Sequence, residues 1–196
     1  MPTGVAIREV RRQLFDAAER VLLRAGPSGL TSRAVTEEAG CAKGVLHRHF
    51  ADFDAFLADL VLDRVNRVDA RAAALREAVG TGDVVDNLTD ALTALFESVA
   101  VAMVALITFR DELRARLRDA WPAGVPVLTE GAIMVSRYLA AERERGRVSG
   151  RADVEVLGAT LIGAAHLLYA DRLGVAPTPE DVRRMVATVV AGALVA

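Results

Sequence analysis

The chain is short of almost everything that would make it a secreted, sheet-rich or membrane-spanning protein. It has one cysteine, Cys41, in 196 residues, which excludes a disulfide framework and fits a reducing cytoplasm. Aromatic residues make up 5%, with a single Trp, while Ala, Val and Leu dominate the 53% that is hydrophobic. That mixture favours packed helices over sheets. The longest apolar run, Val99 to Ile107, is nine residues long between Glu97 and Arg110, far below the ~20 that a membrane span needs. The start, MPTGVAIREVRRQLF, carries charge before an apolar signal region could form. No internal repeat, low-complexity tract or strand-period alternation is present.

What is present is unevenly distributed. Residues 1–50 hold eight Lys or Arg against five Asp or Glu, and residues 51–196 hold sixteen against twenty-one. A basic first quarter on an acidic body suggests that the N-terminal end meets nucleic acid. Lys43 is the one lysine among 24 basic residues.

Apolar periodicity predicts an all-α chain of about nine helices. Ile7, Val10, Leu14, Ala17 and Val21 write one stripe of a first helix, ended by the GPSG of 26–29. A short second helix, TSRAVTEEA, has Thr31 as its N-cap, and Gly40 supplies the left-handed turn that stops it. A third short helix spans about Lys43 to His49, with Leu46 and Phe50 facing inward together. A long helix runs from Asp52 to about Val79. The next begins near Val84 and carries the apolar run, bending near residue 100. The charged segment RDELRARLRDA follows and reads as a solvated face, with Pro122 and Pro126 as breakers beyond it. Helices over about 127–145, from Asp153 through the apolar stretch VEVLGATLIGAAHLLYA, and over the stripe Val182, Met185, Val186, Val189, Val190 and Ala193 complete the chain.

The three opening helices have helix-turn-helix anatomy: a support, a short positioning helix, a glycine turn and a recognition helix. Over about fifty residues, LFDAAERVLLRAGPSGLTSRAVTEEAGCAKGVLHRHFADFDAFLADLV resembles the DNA-binding segment of TetR-family transcriptional repressors. The likeness rests on AAxxxxxxxG in the first helix, LTSRAV opening the second and AGxxKGxLxRHF through the third. The last two helices are similar to the family's dimerising pair. The resemblance implies a DNA-binding domain over 5–51 and a ligand-binding and dimerisation domain over 52–196. It also implies a homodimeric, non-enzymatic cytoplasmic repressor without a cofactor, bound to a palindromic DNA operator and released by a small apolar effector.

Within that expectation, Thr31, Ser32, Arg33, Ala42, Lys43, Gly44, Val45, His47, Arg48 and His49 form the DNA-contacting set. Gly44 lets the backbone approach, Val45 can touch a thymine methyl, and Lys43 can reach a guanine or a phosphate. Arg33 matches a family position that can reach a base, and His47 and His49 match phosphate contacts, with Arg48 beside them. Three departures point to lower affinity or an unusual operator. Ala42 stands where a capping Ser is common, His47 replaces Tyr, and Asp52 and Asp54 open a helix that commonly starts with a phosphate-gripping Lys.

Phe96, Met103, Phe109, Trp121, Met134, Tyr138, His166 and Tyr169 are candidates for an apolar pocket, although each is also at home in a core. Gly158, Ala159, Ile162, Gly163, Val182, Met185, Val186 and Val189 are candidates for the dimer interface. His47 and His49 raise a metal site, but two residues apart on a helix they point about 200° from each other and chelate poorly, so no metal is expected. Cys41 reads as a small core residue, with a redox sensor as the alternative. No nucleophile–base pair, phosphate-cradling loop or metal-ligand spacing points to an enzyme. The rival reading is a helical small-molecule-binding dimer with weak or lost DNA binding.

Overall fold

The computed structural model describes residues 4–97, 100–119, 121–122, 124–170 and 176–195, with the side chains of 4–8 and 69 excepted. The Ile7 side chain and Val99 therefore lie outside the described residues. Among the described residues there are ten helices and no strand beyond one isolated bridge, Val148 to Leu194. The helices are α1 (Gly4–Gly29), α2 (Ser32–Glu38), α3 (Gly44–His49), α4 (Phe53–Glu77), α5 (Val84–Phe96), α6 (Ala100–Phe109), α7 (Asp111–Leu117), α8 (Pro126–Glu144), α9 (Val154–Ala170) and α10 (Pro179–Val190). The tenth arises because the segment expected to be one bent helix from Val84 is two, α5 and α6. At Arg110 the backbone turns extended (φ −118°, ψ 105°) and separates α7 from α6. Among the described residues no single helix is long and apolar enough to cross a membrane.

The chain forms two compact units, residues 1–63 with 102–123, and residues 64–101 with 124–196. The helix α4 therefore begins in one unit and ends in the other.

In the first unit, α1 carries its stripe inward. Leu14, Ala17, Ala18, Val21 and Leu22 are at most 1% exposed. Leu30, Val35 and Leu46 from the following elements are equally buried. Phe15, Phe50 and Phe56 join α1, the end of α3 and α4 through ring centroids 5.0–5.9 Å apart. Aromatic groupings of this kind add about 0.5–1.5 kcal/mol per pair beyond their buried area. The break in α1 falls at Gly26, whose φ of 68° no β-carbon-bearing residue adopts cheaply.

In the second unit, α8 and α9 pack closely because glycine allows it. A β-carbon on Gly158 would lie 2.2 Å from the Ser136 hydroxyl and 2.9 Å from the Ala132 carbonyl oxygen, and one on Gly131 would meet Ile162 and Leu95 at 2.9 and 3.0 Å. Asp83 caps α5 by accepting from the amides of Val85 and Asp86 at 2.8 and 3.1 Å. Thr178 and Asp181 cap α10 reciprocally. A buried polar knot ties α8 to the α4–α5 turn. Glu142, fully buried, accepts from the Gly80 amide at 3.1 Å and faces Arg147 at 3.3 Å. Asn87 donates to the Tyr138 hydroxyl at 3.0 Å and to the Thr81 carbonyl at 2.9 Å. Burial pushes the Tyr138 hydroxyl up to about 12.

Candidate nucleic-acid interface

The site begins with two short helices and the turn between them. The Thr31 hydroxyl accepts from the Ala34 amide at 3.1 Å, which satisfies one of the free donors at the start of α2. Val35 and Thr36 bury its inner face. Gly40, at φ 63°, turns the chain, and the Cys41 amide donates to the Thr36 carbonyl at 3.0 Å. Helix α3 then starts without a side-chain cap, and the residue at its N-cap is Lys43 rather than the expected Ala42. It is held from beneath: Leu46 is 0% and Phe50 5% exposed. The opposite side is open. Ala42, Lys43, Gly44, His47 and Arg48 are exposed, while Cys41, Val45 and His49 are half-buried. Nothing lies within 4 Å of a β-carbon placed on Gly44, so another molecule's backbone can come close there.

A ring of ion pairs orders the surroundings. The Arg11 guanidinium sits 4.5 Å from the centroid of the Phe50 ring and pairs with Asp59 at 2.6 Å. This cation–π contact clamps the residue that ends α3. Arg20 and Arg24 share Glu38 at 2.7 and 2.9 Å, and their hydrogen bonds, Arg20 first, hold its carboxyl below the usual range. On α2, Ser32 is half-buried and exposed Arg33 rests on Glu37 at 2.7 Å. That i,i+4 surface pair is worth only about 0.3–0.5 kcal/mol, so Arg33 is cheaply released to another partner.

The acidic start of α4 is paired within the chain. Asp52 accepts from the Ala55 amide at 2.7 Å and pairs with Arg116 at 2.8 Å. The amide bond, then Arg116, lowers its carboxyl from the usual range. Asp54 accepts from Arg110 at 2.9 and 3.1 Å, and the same guanidinium lies 5.5 Å from the Phe53 ring centroid. Both carboxylates at this end of α4 therefore have arginine partners. Two arginines of the segment read as a solvated face neutralise it. The sequence signal was present in RDELRARLRDA, but nothing in it names partners 56 and 64 residues away.

The pocket candidates separate. Phe96, His166 and Tyr169 come together on α5 and α9: the Phe96 and Tyr169 rings stack with centroids 5.7 Å apart, and the His166 ring lies 6.2 Å from Phe96. Met134 is buried on α8, and Tyr138 belongs to the polar knot. Met103 is buried in α6, Trp121 is half-buried, and Phe109 is 71% exposed. None of the eight lines either of two open clefts in the second unit. One, of about 320 Å³, lies between α4 and α5 along Arg71, Ala74, Ala78, Asn87, Asp90 and Ala94. The other, of about 760 Å³, lies between α8 and α9 along Leu128, Ala132, Ile133, Arg137, Glu155 and Gly163.

The interface candidates divide as well. Gly158, Ile162, Val182 and Val186 are buried within the subunit's own core, Met185 and Val189 are half-buried, and Ala159 and Gly163 are exposed. Val156 and Leu167, which sequence periodicity did not single out, are 59% and 76% exposed.

Residues 14–60 match the family model described as bacterial regulatory proteins, tetR family. The HTH-type transcriptional regulator PksA of Bacillus subtilis is 30% identical over 86 residues, and the match spans 42% of that protein's length and 40% of this chain. The whole fold is similar to a Mesorhizobium loti protein assigned to the TetR family (16% identity, 96% and 98% of the two chains covered, TM-score 0.70). It is also similar to a transcriptional regulator of Rhodococcus sp. Rha1 (22% identity, 95% and 98% covered, TM-score 0.69). The matched segment ends in α4, just past the last ring of the phenylalanine cluster, and the fold extends the likeness over nearly the whole chain. Over residues 14–60 the chain is similar to bacterial regulatory proteins of the tetR family, and it shares the fold of such regulators over nearly its whole length.

Proposed function

We propose that the protein is a homodimeric, sequence-specific DNA-binding transcriptional repressor that a small molecule releases from a palindromic operator. The observation that carries the reading is α3. Its apolar side is anchored by Leu46 and Phe50, and Lys43, Gly44, His47 and Arg48 stand free on the other. A short helix so held can enter a major groove, where base contacts choose sequence and phosphate contacts set register. Thr31, Ser32 and Arg33 at the start of α2, with Ala42, Val45 and His49, complete the contact set.

The dimer would use the outer faces of α9 and α10. On α9, Val156, Thr160, Gly163 and Leu167 are all exposed at spacings of four, three and four, which is one helical stripe. Half-buried Met185 and Val189 extend it on α10. Two recognition helices paired in this way would read half-sites about 34–36 Å apart. The effector would bind the second unit, and α4, which runs on from the DNA-reading unit, would carry the signal. Effector and DNA then weaken each other reciprocally, typically by about 1–3 kcal/mol. The rival, a binding module without DNA affinity, keeps the uncapped α3 in its favour but not the acidic start of α4.

The test is selection of random DNA fragments by the purified protein at moderate salt. One enriched palindrome, lost on Arg33→Ala or Lys43→Ala, is expected. A folded dimer that enriches nothing even at low salt would instead favour the binding module.

A further inference from the structure

Among the buried polar atoms of the second unit that make no hydrogen bond, three share one place: the Thr93 hydroxyl, His166 Nδ1 and the Tyr169 hydroxyl. Thr93 precedes Phe96 by one helical turn on α5, and the Phe96 ring lies against both His166 and Tyr169 on α9. An unsatisfied buried polar atom costs about 1–3 kcal/mol, so one is uncommon and three around a single ring are costly unless something visits them. The cluster combines a flat apolar wall with convergent donors and acceptors, which is the composition of a small-molecule site.

We propose that Thr93, Phe96, His166 and Tyr169 form the polar anchor of the effector site, and that it takes a neutral, planar molecule bearing a carbonyl or hydroxyl group rather than a carboxylate. This rests on the reading of the second unit as the effector-binding part. Half-buried Tyr169, stacked on buried Phe96 (interplanar angle 19°), is the ring of the pair that a flat molecule could meet. Its oxygen then meets hydroxyl and imidazole groups that can each donate or accept. Burial favours the uncharged form of both titratable members, raising the Tyr169 hydroxyl and lowering the His166 imidazole. The charge that acts on Tyr169 is the Glu97 carboxylate, which would repel an anion. The Thr93 hydroxyl lies near enough to influence the Tyr169 proton, yet no bond of proper geometry joins them.

The experiment is a thermal unfolding series on the full chain with Thr93→Val, Tyr169→Phe and the double variant. Acetophenone and benzoate, nearly equal in shape but unequal in charge, serve as millimolar probes. Without probe, each substitution removes an unsatisfied hydroxyl from a shape that is kept, so Tm should rise by about 2–4 °C. Acetophenone should raise the wild-type Tm, benzoate should not, and the rise should vanish in the double variant. A fall or no change in the probe-free Tm would mean that water or protein already satisfies the hydroxyls, and would overturn the proposal. An equal response to both probes, no response to acetophenone, or a response that survives in the double variant would do the same. None of these readings uses DNA, so failure of the regulator reading in the fragment selection is separate from failure here.

Discussion

Replacing Arg147 with Ala should destabilise the protein more than replacing its partner Glu142 with Gln, and the two changes together should be milder than Arg147→Ala alone. The reason is the unequal surroundings of the two charges. Glu142 is 0% exposed; its Oε1 accepts from the Gly80 amide at 3.1 Å and from Arg147 Nη1 at 3.4 Å, and its Oε2 faces the same guanidinium at 3.3 Å. Arg147 keeps 28% of its side chain in solvent and also donates to the carbonyls of Gly82 at 2.5 Å and Thr81 at 3.4 Å. Removing Arg147 strands a buried carboxylate, a loss of about 3–5 kcal/mol. In a chain of this size that lowers Tm by roughly 10 °C. Gln at 142 keeps the acceptor for Gly80 and leaves a cation that still has two carbonyls and water, at a cost of about 1 kcal/mol. In the double variant no buried charge remains, so the expected loss is about 1–2 kcal/mol. Urea unfolding followed by circular dichroism, compared at unchanged m, reads all four proteins. If the double variant is as unstable as the sum of the singles, the stranded charge is not what makes Arg147 matter, and the reasoning fails.

Leu46→Ala should cost about 2–5 kcal/mol, since the side chain is wholly buried, and DNA retention should fall with it, read by calorimetry and fluorescence anisotropy. Lys43→Ala should weaken binding to the selected operator and lower the slope of log affinity against log salt by about one, as loss of one phosphate contact requires. Tyr138 yields a pH prediction. Its hydroxyl ionises near 10 in the unfolded chain but is pushed up to about 12 in the fold. The stabilisation is complete below pH 10 and is lost as pH rises from there through 12. Tyr138→Phe should flatten that part of the stability profile, measured by urea unfolding at pH 9 to 12.

The parts of the fold set by local chemistry were legible in the sequence. Leu14, Ala17 and Val21 announce the buried side of α1, Thr31 the start of α2, Gly40 its turn, and Leu46 with Phe50 the anchored side of α3. Those signals are helical spacing and capping, both written within a few residues. What could not be read are pairings across long separations. Nothing near Asp52 or Asp54 announces Arg116 or Arg110, and Asn87 carries no hint of Tyr138. The glycines of α9 make the same point: Gly158 and Gly163 look alike in VLGATLIGAA, yet one faces Ser136 and the Ala132 carbonyl and the other faces open space. Only the packing partner distinguishes them.

Gly158 also restricts how the second unit can move. Sliding α9 along α8 by one turn, about 5.4 Å, would bring Val154 or Ile162 to the place that Gly158 now occupies against the Ala132 carbonyl. Both are branched at Cβ, and that carbonyl belongs to a helix backbone that cannot step aside. The neighbouring notch at Gly131 would at the same moment lose the Ile162 side chain, which now shares it with Leu95 of α5. The two helices therefore work like a toothed joint with a single seated position. A force applied anywhere along α8 or α9 is passed on as a tilt of the pair, with no slippage to absorb it.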